Sequence, residues 1–159
     1  MQNVISLITS RRYYSTLLSP IFVALFISNS HCSLADNYMD AGSLPEVVQL
    51  YIELNFPNHK IVKAKKENGF KRVKYEVMLD SYIELDFDEK GEIIEIESNR
   101  GVEIPARALP PFVSAYLEVY MPERRIVEWE KKWNWHKVEL DNDLELYFDL
   151  KGNFLKKKY

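Results

Sequence analysis

LPEVVQLYIELNFPNHKIV, residues 44–62, returns without a gap as LPPFVSAYLEVYMPERRIV at residues 109–127. Eight of these nineteen positions are identical: Leu44/Leu109, Pro45/Pro110, Val48/Val113, Tyr51/Tyr116, Glu53/Glu118, Pro57/Pro122, Ile61/Ile126 and Val62/Val127. Further on, YEVMLDSYIELDFDEKG (75–91) matches HKVELDNDLELYFDLKG (136–152) at nine of seventeen positions. The register between the two blocks shifts by four residues, so the second copy has a shorter loop. Self-similarity at a fixed spacing marks one supersecondary unit used twice. Two similar halves predict a composite surface rather than one buried catalytic pocket.

Each copy opens as a helix. Ser43-Leu44-Pro45-Glu46 reads as a capping box, with proline in the first turn, where no intrahelical hydrogen bond is lost. Leu44, Val47, Val48, Tyr51 and Leu54 recur at three- and four-residue spacing and predict one apolar stripe, ended by Pro57. Leu109, Phe112, Val113, Tyr116 and Tyr120 repeat it, ended by Pro122.

After each helix the period drops to two. Val73, Tyr75, Val77 and Leu79 alternate with Arg72, Lys74, Glu76 and Met78, then Ile83, Leu85 and Phe87 with Tyr82, Glu84 and Asp86. Glu67-Asn68-Gly69 and Asp88-Glu89-Lys90-Gly91 are hairpin turn signals. Strands are predicted at 59–67, 70–80, 82–88 and 92–97, and again at 124–131, 134–141, 143–149 and 153–158. The fold expected is α+β: two tandem units, each one α-helix packed on a four-stranded antiparallel sheet. The units span 36–98 and 99–159, with Ser98-Asn99-Arg100-Gly101 as the joint. Lys156, Lys157 and Lys158 on the last strand would discourage edge-to-edge pairing.

The first 35 residues differ from the rest. They hold Arg11 and Arg12 and no acid, then the apolar run from Leu17 to Ser28. That run is short for a membrane span and long enough for a signal-peptide core, and Ser33-Leu34-Ala35 supplies small residues for cleavage. Cleavage is expected after Ala35, giving a periplasmic or secreted protein with no membrane span after processing. Cys32, the one cysteine, follows His31 rather than the small residue that lipidation requires. Removing 1–35 takes away two of the 21 basic residues and none of the 24 acidic ones. The mildly acidic remainder argues against nucleic acid as a partner.

The residues around the repeat resemble the PepSY-like, β-lactamase-inhibitor-like family of exported bacterial proteins. The resemblance rests on Leu-Pro at each helix start, on the helix ends Asn-Phe-Pro and Tyr-Met-Pro, and on Ile-Val opening the first strand. It also rests on Tyr75 to Asp80 and on Ile83 to Gly91 with its partner Leu144 to Gly152. It covers residues 40–159. It implies a helix-on-sheet unit in tandem, placed in the bacterial envelope, with tandem sheets forming a partner-binding surface. No inhibitor motif can be carried over.

Catalytic sets are missing. His59 and His136 are the histidines beyond the leader; His136 takes the core phase of Val138 and Leu140, where the first copy has Tyr75. No Glu-x-x-His pair, nucleophile elbow or phosphate-cradling glycine run occurs, so no enzyme, metal or cofactor is expected. Asp86-Phe87-Asp88-Glu89-Lys90-Gly91 has the look of half a calcium loop but lacks the distal bidentate glutamate; it reads as a hairpin with a solvated acidic turn. Lys60, Lys63, Lys65, Lys66, Lys71, Arg72 and Lys74 are expected to pair with Glu128, Glu130, Glu139 and Glu145 of the second copy.

Aromatics on the wet phase point to a binding surface. Trp129 falls on the core phase of Val127. Trp135 falls on that of Lys137 and Glu139, Trp133 at the turn before it, and Tyr147, Tyr82 and Met78 on wet faces. Rigid apolar area among mixed charges suits protein recognition. The function expected is therefore a non-catalytic exported protein- or peptide-binding module, with Trp135, Tyr147, Trp133, Tyr82 and Met78 as the contact residues. The alternatives are an inhibitor of a secreted hydrolase or peptidase, from the family resemblance, and a small-molecule carrier or enzyme, which would need a concave polar pocket.

Overall fold

The computed structural model describes residues 37–67, 72–73 and 75–159. The leader, its cleavage point, Cys32 and the Asn68-Gly69 turn lie outside them. A short 3-10 turn, Ala41–Ser43, leads into helix α1 (Glu46–Asn55). Strands β1 (Ile61–Lys66), β2 (Tyr75–Leu79), β3 (Ile83–Phe87) and β4 (Ile93–Ser98) follow. The second half repeats the order: a 3-10 turn (Ala106–Ala108), α2 (Pro111–Tyr120), β5 (Ile126–Lys131), β6 (Trp135–Leu140), β7 (Glu145–Asp149) and β8 (Phe154–Lys158).

The expected pair of four-stranded sheets is instead one antiparallel sheet of eight strands in the order β1 to β8. The two halves fuse because β4 pairs with β5, setting Glu95 opposite Glu130, Ile96 opposite Trp129 and Glu97 opposite Glu128. An edge strand presents a row of unpaired N–H and C=O groups, and two such edges satisfy one another. Ile96 and Trp129 are both buried at this seam, so both helices cover the same face and one apolar core runs beneath them.

That core is made by the in-pointing positions of the strands. Val77, Leu79, Ile83, Leu85, Phe87 and Ile96 are buried in the first half, and Ile126, Val138, Leu140, Leu146 and Phe148 in the second. The helices contribute a narrower line than their periodicity predicts. Leu44, Val48, Ile52 and Phe56 are buried, whereas Val47 and Leu54 are 49% and 63% exposed. In α2, Leu117 is buried where Tyr120 was expected. A ten-residue helix lying on a sheet touches it along one line, and residues four apart stay on that line; the flanking positions overhang.

The capping box does not form. Pro45 is the N-cap of α1 and no side chain caps it; Gln49 Nε2 instead donates to the Leu44 carbonyl at 2.7 Å. The Asp88-Glu89-Lys90-Gly91 turn signal does hold. Asp88 Oδ1 accepts from the N–H of Lys90 and of Glu92, both at 2.9 Å, and Asp149 Oδ1 does the same for Lys151 and Asn153. Such Asx turns close hairpins locally, which leaves Asp88 as a turn former.

The halves are tied on the helix side as well. Tyr51 in α1 donates its hydroxyl to the Ala108 carbonyl at 2.7 Å. Arg107 Nε donates to the Asn55 carbonyl at 2.9 Å. The β1 edge is partly covered: Tyr38 bridges to Lys65, and Met39 N–H donates to the Ala64 carbonyl at 3.0 Å. No helix among the described residues is long and apolar enough to cross a membrane.

Candidate functional site

The uncovered face of the sheet carries two adjacent rows of carboxylates. Cross-strand register aligns one row as Lys65, Glu76, Asp86, Glu95, Glu130, Lys137, Tyr147 and Lys156. The next row, two residues along each strand, is Lys63, Met78, Glu84, Glu97, Glu128, Glu139, Glu145 and Lys158. Four acids stand side by side in the first row and five in the second, with lysines at both ends. Residues directly opposite on neighbouring strands place their Cβ atoms about 5 Å apart, and like charges there are destabilising.

Part of this charge is compensated. Lys65 Nζ lies 2.6 Å from Glu67 and 3.2 Å from Glu76. Lys137 lies 2.7 Å from Glu128 and 3.6 Å from Glu139, Lys132 pairs with Glu130, and Tyr147 donates its hydroxyl to Glu145 at 2.7 Å. These partners belong to the same half as the acid they meet: of the first-copy lysines expected to reach second-copy glutamates, Lys65 pairs within its own half. The long stems of Lys65 and Lys137 reach a cross-strand neighbour before they reach another half.

Asp86, Glu95 and Glu97 make no salt bridge among the described residues; Lys132 and Lys137 act on Glu95 and Glu97 only from farther off. Asp86 Oδ1 is buried without a hydrogen-bond partner. Burial first, then Glu95 and the other surrounding carboxylates, push the Asp86 carboxyl up to about 7. Burial and then Glu130 and Glu128 push Glu95 up to about 7 as well. Glu97 and Glu139 move in the same direction, again from burial first and Glu128 second. Three ligand oxygens, one each from Glu95, Glu128 and Glu130, lie within 4.8 Å of one another. Two like charges at that spacing repel by roughly 3 kcal/mol at an effective dielectric near 20. A proton or a metal cation relieves that repulsion.

The aromatic residues singled out in the sequence sit at the two ends of this face rather than in one patch. Trp135 begins β6, 38% exposed, diagonal to Tyr147 through the pairs Trp135/Asp149 and Lys137/Tyr147. Trp133 stands in the β5–β6 turn, 86% exposed. Tyr147 carries Lys156 Nζ 4.9 Å above its ring. Met78 lies on β2, five strand spacings from Tyr147, or about 24 Å. Tyr82, in the turn before β3 with φ +64°, is covered by the Arg100 guanidinium at 3.5 Å. The carboxylate rows occupy the space between these ends. Sequence alternation shows that each strand has a wet face; which wet residues become neighbours depends on register, above all across the β4–β5 seam.

The histidines behave as structural residues. His136 is buried between Phe112 and Trp129, and burial first holds its pKa below the ordinary value. His59 Nδ1 lies 3.2 Å from Asp80 at the sheet margin.

The family model described as "Putative beta-lactamase-inhibitor-like, PepSY-like" matches residues 32–95 and again 73–156. Two matches on one chain agree with the tandem repeat, and the chain belongs to this PepSY-like family. No curated protein matches the chain significantly. Three solved structures share its fold over nearly their whole length. One, from Bacteroides thetaiotaomicron, is described as a "putative calcium-regulated periplasmic protein"; it is 27% identical with TM-score 0.72, covering 78% of this chain and 97% of its own. A "putative periplasmic protein" of Bacteroides vulgatus is 25% identical, TM-score 0.71, with coverages of 80% and 99%. Another from that organism, of "unknown function", is 29% identical, TM-score 0.69, with coverages of 78% and 99%.

Proposed function

We propose that this PepSY-like chain is a non-catalytic module of the bacterial envelope that binds calcium on the carboxylate rows of its open face. On that same face it receives a protein or peptide partner. The observation that carries the reading is the pair of carboxylate rows, one acidic from β2 to β5 and the other from β3 to β7, with Asp86, Glu95 and Glu97 outside the salt bridges that hold their neighbours. Calcium takes six to eight oxygens at flexible geometry, and Glu95, Glu128 and Glu130 offer three carboxylates at one place. The relative described as calcium-regulated supports the choice of ion, and the periplasmic descriptions of all three relatives support export. Trp135, Tyr147 and Trp133 at one end, and Tyr82 and Met78 at the other, supply the apolar contacts of the partner interface. Calcium then sets how strongly the acidic centre repels or admits an approaching chain.

Calorimetric titration of calcium into chelator-treated protein tests the reading. Saturable binding that is lost in Glu95→Gln/Glu130→Gln supports it; absence of binding at millimolar calcium overturns it. The inhibitor alternative, which rests on the family description alone, is decided by assaying the protein against β-lactamases and envelope peptidases.

A further inference from the structure

The opposite face of the sheet holds a second feature, independent of the carboxylate rows. Between α1 and Pro110, which precedes α2, a cleft of about 570 Å³ opens, with Trp129, Lys131 and His136 in its lining and apolar walls from Val47, Ile93 and Leu150. That volume lies in the range of small-molecule sites. Trp129 and His136 are 2% and 6% exposed and stack at 5.7 Å with 21° between their planes. Trp129 Nε1 and His136 Nδ1 both lack a hydrogen-bond partner. Buried polar groups in native proteins are nearly always satisfied, and two orphans on one stacked pair demand an explanation.

From this we infer that the cleft binds a small carboxylate with an apolar body. An indole N–H can only donate, so whatever satisfies Trp129 must accept. Lys131, the direct strand partner of His136, brings a cation to the same place. Among the described residues its ammonium has one salt-bridge partner, Glu92 at 3.6 Å, and the Glu92 side chain is largely exposed. A ligand carboxylate replaces Glu92 against Lys131 and accepts from Trp129, while the uncharged His136 ring donates through Nδ1 in the matching tautomer. Charge-assisted bonds of this kind are about twice as strong as neutral ones. The apolar body rests on Val47, Ile93 and Leu150. With the cleft empty, both nitrogens are out of reach of solvent, so binding includes a small shift of the floor side chains; Lys131 and Leu150, both substantially exposed, are placed to make it.

The repeat isolates the site. Ala64 stands in the first copy where Trp129 stands in the second, and Tyr75 where His136 stands. The stacked pair therefore occurs only in the second copy, where Pro110 at the start of α2 and Val47 and Tyr51 of α1 line the cleft above it.

The test is a titration of the full chain with phenylacetate, followed by the indole N–H signals in ¹⁵N–¹H correlation spectra. Trp133→Phe and Trp135→Phe assign the other two indoles and leave Trp129 by elimination; signal dispersion reports that each variant is folded. The Trp129 indole signal shifts downfield and saturates. Phenylacetate binds about tenfold more tightly than uncharged phenylacetamide, and Lys131→Met removes that preference. Absence of a saturable Trp129 shift at about 10 mM phenylacetate, equal affinity for the amide, or an unchanged preference in Lys131→Met overturns the inference. Calcium binding on the other face is read in separate titrations, so either idea can fail alone.

Discussion

Glu95 on β4 and Glu130 on β5 face each other directly across the strand pair that joins the two halves. Fusing the sheets brought two acidic strands together, and each half had already placed its own glutamates on the open face. Replacing both by glutamine keeps their size and removes the repulsion. The double variant without calcium is expected to be more stable than the parent by about 1 kcal/mol. Calcium at a hundred times its Kd should stabilise the parent by about 2.7 kcal/mol and the double variant far less. Thermal melts with calcium and with chelator measure both. A variant less stable than the parent would show that these glutamates hold the seam together rather than strain it.

Acidification should stabilise the metal-free protein. Asp86 and Glu95, each pushed up to about 7, keep their protons in the folded state over a range where the unfolded chain has released them. Their contribution is fully present below the ordinary carboxylate range and is lost as pH rises through about 7. Melting temperature in chelator is expected to fall by a few degrees between about pH 5 and about pH 8. Calcium should flatten that slope, because it replaces the protons. A melting temperature that rises over this interval would contradict the placement of the two acids.

Gly152 closes the β7–β8 turn at φ +86°, and a Cβ there would meet Phe112 Cγ at 2.6 Å. Gly152→Ala therefore incurs both left-handed backbone strain and a displaced core ring. Its cost is expected to be about 1–3 kcal/mol, read as a lower urea midpoint with unchanged slope. At Gly42, where nothing lies within 4 Å of a built Cβ, the same change should cost well under 1 kcal/mol.

Trp135→Ala/Tyr147→Ala should leave the melting temperature within a few degrees of the parent, because neither side chain belongs to the core. Crosslinked partner recovered from the native envelope should drop about tenfold, as expected when anchoring aromatic contacts are lost. Undiminished recovery would take those two residues out of the interface.

The fold was legible where one segment decides its own structure. The two helices, the eight strands and the Asp88 and Asp149 turns follow from period changes and local hydrogen bonding, and Trp129 and His136 follow from their alternation phase. What escaped was relational. Nothing in the alternation of Glu95 or Glu130 says that β4 will pair with β5, so one sheet read as two and the carboxylate rows stayed hidden. Val47 and Leu54 satisfied a helical stripe yet overhang the sheet, because a short helix meets it along a single line. The orphaned nitrogens of Trp129 and His136 likewise emerge only from side-chain placement, since each residue alone reads as ordinary core.

A meander in which every strand pairs with its sequence neighbours suits a chain delivered N-terminus first, whether by a ribosome or by a translocation pore. Each strand that emerges finds its partner already in place, and each helix arrives before the strands it will cover. Closing such short loops costs little entropy and proceeds fast. The one long wait is for β5, which must follow the whole of α2 before it can protect the β4 edge. During that interval the exposed edge bears Glu95 and Glu97, whose like charges disfavour pairing with the same edge of a second nascent molecule.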